Sequence, residues 1–179
     1  MAHQGMWVFG YGSLMWNPEF PYRERQIARL SGFHRSFCMS SIHHRGTTDH
    51  PGLVLALDPD KGAHCDGLAF FVEPDQAEKT LDELRERELI SSAYLETIQT
   101  LTLRDTRCVE AVTYIIDGAH DQYCGGLALE RQAQIIAHAV GQRGPNADYL
   151  HNTTDHLKEL GLCDSDLTWL SERVRRIRG

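Results

Sequence analysis

The order of strand-like and helix-like segments is the feature that most constrains the fold of this chain. Six segments rich in β-branched, aromatic or leucine residues predict strands: 6–9, 26–38, 53–58, 65–72, 94–103 and 108–116. One predicted helix, 75–90, interrupts them, and three more follow at 128–140, 147–160 and 165–177. Strands first and helices last are typical of an α+β fold rather than of alternating βαβ units. We expect a small mixed β-barrel of five or six strands, closed or half-closed, with helices packed outside it.

Turn and capping signals set the expected boundaries of these segments. Between strands, turns are predicted at Pro51-Gly52, at Asp58-Pro59-Asp60 with Lys61-Gly62, and at Asp117-Gly118. The helices have boundary residues of the usual kinds, namely Asp75 at a start, Asn146 just before a start, and Gly141 and Gly161 at ends. In the last helix a single stripe carries the apolar residues Leu167, Leu170, Val174 and Ile177.

Length and charge limit the class of protein. A chain of 179 residues predicts one domain, residues 1–179, with a packed core. The net charge is −7, and nucleic acids and anionic membranes are bound mainly through basic patches, so we expect neither as a partner. One basic cluster lies at the C-terminal end, where arginines in a last helical turn complement the helix dipole: Arg173, Arg175, Arg176 and Arg178.

Several features favour a cytoplasmic location. No apolar run approaches the roughly 20 residues needed to span a bilayer. The N-terminus lacks the charged segment, apolar segment and cleavage site of a signal peptide. The five cysteines are scattered and none has C-x-x-C spacing, which is typical of reduced thiols. Nothing in the pattern predicts an oligomeric state.

One loop contains four side chains of the kinds that bind metals: His43, His44, Asp49 and His50. The H-E-x-x-H motif and the regular zinc spacings are missing, so we interpret these residues as polar loop residues. We expect neither a metal nor a cofactor.

The segment Gly10-Tyr11-Gly12-Ser13-Leu14 directly follows the first predicted strand and is the first candidate site. Two glycines at a strand end let the backbone approach a ligand and leave N–H groups pointing into a concavity, where they bind anions. Met15 stands where a dinucleotide-binding fingerprint needs its third glycine, no helix is clearly opened, and no Gly-Lys-Ser/Thr follows. By itself the segment is more typical of a plain tight turn than of a binding site. We expect Gly12 to have a positive φ, which a valine at that position would resist.

Glu88 is the second candidate. In the predicted helix 75–90 it shares a narrow face with Ala77, Leu81 and Leu84, at spacings of i, i+4, i+7 and i+11. The other four acids of that helix project away from the face: Glu78, Asp82, Glu83 and Glu86. A carboxylate on a buried face is suited to proton transfer near neutral pH. The alternatives are that Glu88 pairs with an arginine or lies at a frayed helix end.

These motifs together resemble the ChaC-like glutathione-specific gamma-glutamylcyclotransferases. The resemblance begins with the string from Trp7 to Trp16, followed by Pro18, and extends in order along almost the whole chain. It continues through His44-Arg45-Gly46, Pro51-Gly52, the stretch Leu84-Arg85-Glu86-Arg87-Glu88-Leu89, Tyr123, and Asn146-Ala147-Asp148-Tyr149-Leu150. The sequence departs from the family pattern at Arg85, where many relatives have Trp, and at Leu89, where they have Met. Both departures leave the acid in place but leave the exact peptide specificity open.

The resemblance implies a cofactor-independent lyase that acts in glutathione catabolism. The α-amine of the substrate attacks its own γ-carbonyl, which gives 5-oxoproline and, from glutathione, Cys-Gly. Glu88 is the expected general acid and base, and Tyr11, Gly12, Ser13 and Leu14 are expected to bind the γ-glutamyl group. The alternatives are a cyclotransferase for other γ-glutamyl amines or amino acids, and a barrel that binds a small ligand without catalysis.

Three further residues have two interpretations each. Tyr149 either contributes its hydroxyl to the substrate pocket or is a half-buried helix residue near Leu160. Arg45 either steers an anionic peptide or is a solvated loop arginine. Tyr123, which precedes Gly125, either lines the pocket or covers a core.

Overall fold

The computed structural model describes residues 4–89 and 93–179. Its elements, in chain order, are β1 (Met6–Gly10), α1 (Ser13–Trp16), β2 (Glu24–Ser41), β3 (Gly52–Val72), α2 (Pro74–Glu88), β4 (Tyr94–Leu103), β5 (Cys108–Ile116), α3 (Leu129–His138), β6 (Val140–Gly141), β7 (Gly144–Pro145), α4 (Asn146–Glu159) and α5 (Ser165–Arg178). No helix in this described part of the chain is both long and apolar enough to cross a membrane.

Within the described residues, five strands close into a barrel in the order β1-β3-β2-β4-β5. β1 is antiparallel to β3, with Gly10 opposite Leu68, and parallel to β5, with Trp7 opposite Ala111. β4 is antiparallel to both β2 and β5. This confirms the predicted α+β class and the mixed barrel. The core cluster contains Phe9, Tyr11, Ala28, Leu30, Leu57, Cys65, Ala69, Leu101, Leu103 and Ala111.

The chain divides into two compact units. The barrel unit is Met1–Arg35 with Leu57–His120, and the helical unit is Ser36–Ala56 with Asp121–Gly179. The helices α1 and α2 belong to the barrel unit, whereas α3, α4 and α5 belong to the helical unit. The prediction that residues 1–179 form one domain stays a prediction.

One predicted turn is wrong. The expected strands 53–58 and 65–72 are parts of one long strand, β3, so the Asp58–Gly62 signal does not separate them. Residues 59–62 are exposed. There the missing N–H of Pro59 is tolerated, because proline has a φ that suits extended backbone and is accepted at exposed strand positions. Gly62 has φ +92°, which glycine adopts without a steric cost.

The predicted helices are present with small shifts in their boundaries. α2 begins at Pro74 with Asp75 in its first turn, and the predicted end at Ile90 lies outside the described residues. α3 ends at His138 because Ala139 is already extended, and Val140 pairs with Pro145 in a two-stranded sheet. On α5 the predicted stripe is buried at three positions and half-buried at Ile177.

The start of α4 is tied to β3 by a side chain. Asn146 is fully buried, and its side-chain amide donates to the backbone oxygen of Leu53 at 2.8 Å while its Oδ1 accepts from the Leu53 N–H at 2.7 Å. A Cβ on Gly52 would lie 2.7 Å from that Oδ1, so this position requires glycine. These contacts, all within the helical unit, hold the first residue of α4 against β3. The helix begins at Asn146, one residue earlier than predicted.

Candidate active site

The connection from β1 to α1 opens a helix, which the sequence analysis did not predict. β1 ends at Gly10, Gly12 is the N-cap residue of α1, and the Met15 N–H donates to the Gly12 carbonyl at 3.0 Å. Gly12 has φ −134°, so the expected positive φ is wrong. The N–H groups of Gly12, Ser13 and Leu14 therefore lie at the beginning of a helical turn, where N–H groups lack partners within the helix.

Tyr11 anchors this connection to the barrel core. Its hydroxyl donates to the backbone oxygen of Tyr114 at 2.8 Å. Its own carbonyl accepts from the buried Arg35 Nε at 2.7 Å, and Arg35 also donates to the carbonyl of Asp66. The backbone before Gly12 is thus held by hydrogen bonds from β2 and to β5.

The close approach of two strands also fixes the end of β1. A Cβ on Gly67 of β3 would lie 2.4 Å from the Gly10 carbonyl oxygen, which is backbone and cannot move aside easily. Because glycine stands at position 67, β3 can pass this near to the residue from which the connection departs. The position of the connection thus depends on backbone packing as well as on hydrogen bonds.

The structure places Glu88, the last residue of α2, on the inward stripe of that helix. On the same stripe Leu84 is 2% exposed, and Ala77 and Leu81 are half-buried. The side chain of Glu88 is 16% exposed. The four other acids that were predicted to point away are exposed: Glu78, Asp82, Glu83 and Glu86. The helical periodicity therefore distinguishes Glu88 from its neighbours.

Glu88 has a cation and a buried phenol nearby. Its Oε1 is 3.5 Å from the Nε of Arg87, so the predicted alternative of an arginine partner is realised in the structure. On β5, burial raises the pKa of Tyr114, and the hydrogen bond to Glu96 and the negative charges of Glu96 and Glu88 raise it further. Tyr114 stays protonated near neutral pH and is within electrostatic range of Glu88.

Arg85, which departs from the family pattern, binds an acid of the adjacent strand. Its guanidinium contacts both carboxylate oxygens of Glu96, with the shortest distance, 3.0 Å, from Nη2 to Oε2. The Tyr114 hydroxyl donates to Glu96 Oε1 at 2.9 Å. The hydrogen bond from Arg85 lowers the pKa of Glu96. Glu96 is therefore ionised and engaged by two donors, which leaves it poorly suited to carry protons.

Ser13 and Glu88 are both contacted by Arg87. The Nη2 of Arg87 donates to Ser13 Oγ at 3.0 Å, and Nη1 donates to the Asn17 carbonyl at 2.8 Å. The structure thus brings the segment from Tyr11 to Leu14 close to Glu88 within the barrel unit. Arg87 was predicted only as part of a motif, and Arg35, Tyr114 and Glu96 were not predicted to belong to the site.

Tyr149 lies in the helical unit and is more buried than predicted, at 8% exposed. Its hydroxyl oxygen accepts from the Leu55 N–H at 3.2 Å, and its ring packs edge-on against Phe37. The interpretation of a half-buried residue near Leu160 is therefore replaced by a buried one that contacts β3.

Arg45 is also buried, which contradicts the interpretation of a solvated loop arginine. It is 8% exposed, and its Nη1 donates to the carbonyls of Arg143 and Pro145 at 3.0 and 3.2 Å. Its guanidinium lies 5.6 Å from the centre of the Tyr149 ring. Burial lowers the pKa of Arg45.

The histidine-rich loop is exposed at His43, His44, Asp49 and His50. Among residues 4–89 and 93–179, no group of three or more His, Cys, Asp and Glu side chains is arranged to hold a metal ion. Tyr123 is half-buried and forms an isolated bridge with Met39, both in the helical unit.

A family model and several known proteins match this chain over nearly its whole length. A family model described as ChaC-like protein matches residues 6–177. The chain is 38% identical over 172 residues to the glutathione-specific gamma-glutamylcyclotransferase of Escherichia coli, which covers 96% of this chain and 74% of the relative. It is 35% identical to gamma-glutamylcyclotransferase 2-3 of Arabidopsis thaliana, with 96% of this chain and 89% of the relative covered.

A crystal structure has the same fold. The yeast gamma-glutamyl cyclotransferase specific to glutathione matches with a TM-score of 0.86 at 25% identity, covering 98% of this chain and 100% of that one. The five-stranded barrel with its helices is therefore the fold of a gamma-glutamylcyclotransferase.

Proposed function

We propose, from the premise that this chain belongs to the ChaC-like protein family, that it cleaves glutathione into 5-oxoproline and Cys-Gly. The observation that carries the proposal is the similarity to the glutathione-specific enzyme of Escherichia coli over nearly the whole chain. The chain is then a lyase of glutathione catabolism that works without a metal or cofactor.

The reaction is an internal cyclisation. The α-nitrogen of the γ-glutamyl group attacks the γ-carbonyl carbon, a five-membered lactam forms, and the bond to the cysteine nitrogen breaks. The attacking ammonium must lose protons and the departing nitrogen must gain them, so one carboxyl group can transfer a proton from the first nitrogen to the second. The nucleophile and the electrophile belong to one molecule, so holding the substrate in its folded conformer supplies much of the rate.

Glu88 is the residue to which we assign the proton transfer. It is the last residue of α2, it lies on the inward face, and Arg87 and Tyr114 lie near it. Glu96, the other acid near Tyr114, is held by Arg85 and has a lowered pKa, so it is the weaker candidate. Glu86 is exposed on the opposite side of the helix.

We assign the binding of the γ-glutamyl group to Tyr11, Gly12, Ser13 and Leu14. The N–H groups at the start of α1 are donors of the kind that stabilise a carboxylate or a developing oxyanion. The hydrogen bonds of Tyr11 to Tyr114 and from Arg35 hold this backbone in place before substrate binds. We also assign Tyr149 to substrate binding, because it belongs to the segment Asn146-Ala147-Asp148-Tyr149-Leu150 that resembles the family pattern.

The setting of the reaction follows from charge and thiol chemistry. The net charge of −7 supports a small peptide substrate rather than nucleic acid or an anionic membrane as the partner. The five cysteines are scattered along the sequence without C-x-x-C spacing, which supports the reducing environment of the cytoplasm.

The test is a product assay. The protein is incubated with glutathione, and 5-oxoproline and Cys-Gly are measured by mass spectrometry. Parallel incubations with a γ-glutamyl amine and a γ-glutamyl amino acid separate glutathione specificity from the broader activity. Equal release of 5-oxoproline from all three would contradict glutathione specificity, and no release from any would leave the non-catalytic alternative.

A further inference from the structure

Arg87 links the two parts of the candidate active site in the barrel unit. Its Nε is 3.5 Å from Glu88 Oε1, its Nη2 donates to Ser13 Oγ at 3.0 Å, and its Nη1 donates to the Asn17 carbonyl at 2.8 Å. Three nitrogens of one planar group thus contact the end of α2 and both ends of α1. A planar guanidinium with donors in a rigid fork is suited to hold several acceptors in one fixed arrangement, whereas an ammonium is not.

The burial of these groups makes the contacts effective. The side chains of Arg87 and Glu88 are each 16% exposed, whereas Arg173 and Glu130, an ion pair on the protein surface, are 34% and 50% exposed. Exposed ion pairs contribute little because water screens them and because long side chains lose entropy on pairing. The Arg87 contacts are sheltered from most of that screening.

We propose that Arg87 is a positioning residue that holds the Glu88 carboxylate and the Ser13 segment in one fixed relation. The inference rests on the proposed function, since the relation matters only if Glu88 transfers a proton to a substrate bound at Ser13. Arg87 acts through Glu88 and Ser13, and it has no assigned contact with the reacting atoms. An error of about 1 Å in such a relation can cost on the order of 100-fold in rate.

The charge of Arg87 has a second effect, on the pH dependence of the reaction. The charged and titratable groups that lie near Glu88 include Arg87 on its own helix and Tyr114 on β5, with Glu96 and Arg85 behind Tyr114. The Nη1 of Arg87 is also 3.4 Å from the Glu19 carboxylate. The positive charge of Arg87 favours the ionised form of Glu88. Removing it makes Glu88 harder to ionise, so the acidic limb of the kcat/KM profile moves to higher pH.

The experiment compares Arg87→Met, Arg87→Lys and a control, Arg173→Met, which removes an arginine that contacts both carboxylate oxygens of Glu130. We measure kcat, KM, the pH profile of kcat/KM, and backbone hydrogen exchange of residues 12–17. Arg87→Met should lower kcat by about 10- to 100-fold, raise KM less, and shift the acidic limb upward. In Arg87→Lys the acidic limb of the kcat/KM profile should stay at the wild-type pH, because lysine keeps the positive charge. Its kcat should stay low, because lysine lacks the planar guanidinium. Arg173→Met should match the wild type.

Hydrogen exchange tests the positioning without relying on turnover. The backbone amides of residues 12–17 should exchange faster in both Arg87 variants than in the wild type. In Arg173→Met they should exchange at the wild-type rate. Full recovery of kcat in Arg87→Lys would overturn the positioning role, as would unchanged exchange of residues 12–17. If the wild type releases no 5-oxoproline, the proposed function fails, while the exchange data still decide whether Arg87 holds the segment. If kcat falls only in proportion to the amount of folded protein and the acidic limb of the kcat/KM profile does not move, Arg87 contributes to stability alone.

Discussion

The hydroxyl of Tyr11 donates a 2.8 Å hydrogen bond to the backbone oxygen of Tyr114, which lies 103 residues further along the chain. Tyr11 belongs to the connection that begins the candidate active site, and Tyr114 carries on its side chain the phenol near Glu88. One residue of β5 is therefore bound to the proposed substrate-binding segment through its backbone and lies near the proposed acid through its side chain.

Tyr11→Phe should destabilise the protein by about 1–3 kcal/mol, because a buried carbonyl oxygen loses its donor. Urea unfolding monitored by circular dichroism measures the change. Tyr22→Phe is the matched control, since Tyr22 is 43% exposed, and its effect should stay within about 0.5 kcal/mol. Equal effects of the two substitutions would show that the Tyr11 hydroxyl is not needed for stability.

Glu88→Gln should keep the fold and lower glutathione turnover by about 10²- to 10⁴-fold, because the amide cannot take up and return a proton. Glu86→Gln, two residues earlier and exposed, should turn over glutathione at the wild-type rate. Circular dichroism and the product assay on the same preparations decide between them. Retained activity in Glu88→Gln with loss in Glu86→Gln would move the proton transfer to Glu86.

Gly67→Ala should destabilise the protein by about 1–3 kcal/mol, because its new Cβ would lie 2.4 Å from the Gly10 carbonyl oxygen. At Gly118 a Cβ meets nothing within 4 Å, and alanine there should be neutral or stabilise by up to about 1 kcal/mol. Thermal unfolding of the two variants measures the difference. A Gly67→Ala variant as stable as the wild type would mean that β1 and β3 can separate at no cost.

Arg45→Met should destabilise the protein by about 1–3 kcal/mol, since two carbonyls would lose the donor that a buried guanidinium supplies. The side chain of Arg143 is exposed, so Arg143→Met should change the free energy of unfolding by less than about 0.5 kcal/mol. Urea titration of both proteins is the measurement. If Arg45→Met unfolds at the same urea concentration as Arg143→Met, the carbonyl contacts contribute nothing.

Exhaustive chelation should leave glutathione turnover unchanged, because a carboxyl group can move the protons without a Lewis acid. The assay is run after dialysis against EDTA and again after adding zinc or magnesium. Loss of activity on dialysis and recovery with either metal would make His43, His44, Asp49 and His50 the first residues to substitute.

The fold was predictable where periodicity carried the signal. Leu84 and Glu88 are four residues apart and therefore share one face of α2. The apolar residues on that face predict that it is the inward one. The barrel followed from the succession of apolar strand segments before the helices. The merging of two predicted strands into β3 was not predictable, because Pro59 and Gly62 usually mark a turn. β3 accommodates both of them where residues 59–62 are exposed.

The two candidate segments of the site were predictable from the sequence, whereas the contacts that connect them were not. Glu88 and the glycine-rich segment were found separately, one from periodicity and the other from composition after a strand. The contacts of Arg87 with both depend on where α2 lies beside α1, which no local pattern encodes. Arg45 was misjudged because a charged loop residue is usually exposed, and its carbonyl partners come from residues 98 and 100 positions away.

The paired hydrogen bonds of Asn146 with Leu53 have a consequence for how the chain can align as it folds. The side-chain amide of Asn146 supplies one donor and one acceptor to the backbone of Leu53, as a residue of a neighbouring strand would. The first residue of α4 therefore pairs with β3 as a strand residue does. A slip of β3 by one position would bring a residue with a side chain to the place of Gly52, where a Cβ would lie 2.7 Å from Oδ1. Asn146 thereby acts as a register marker that accepts β3 in a single alignment.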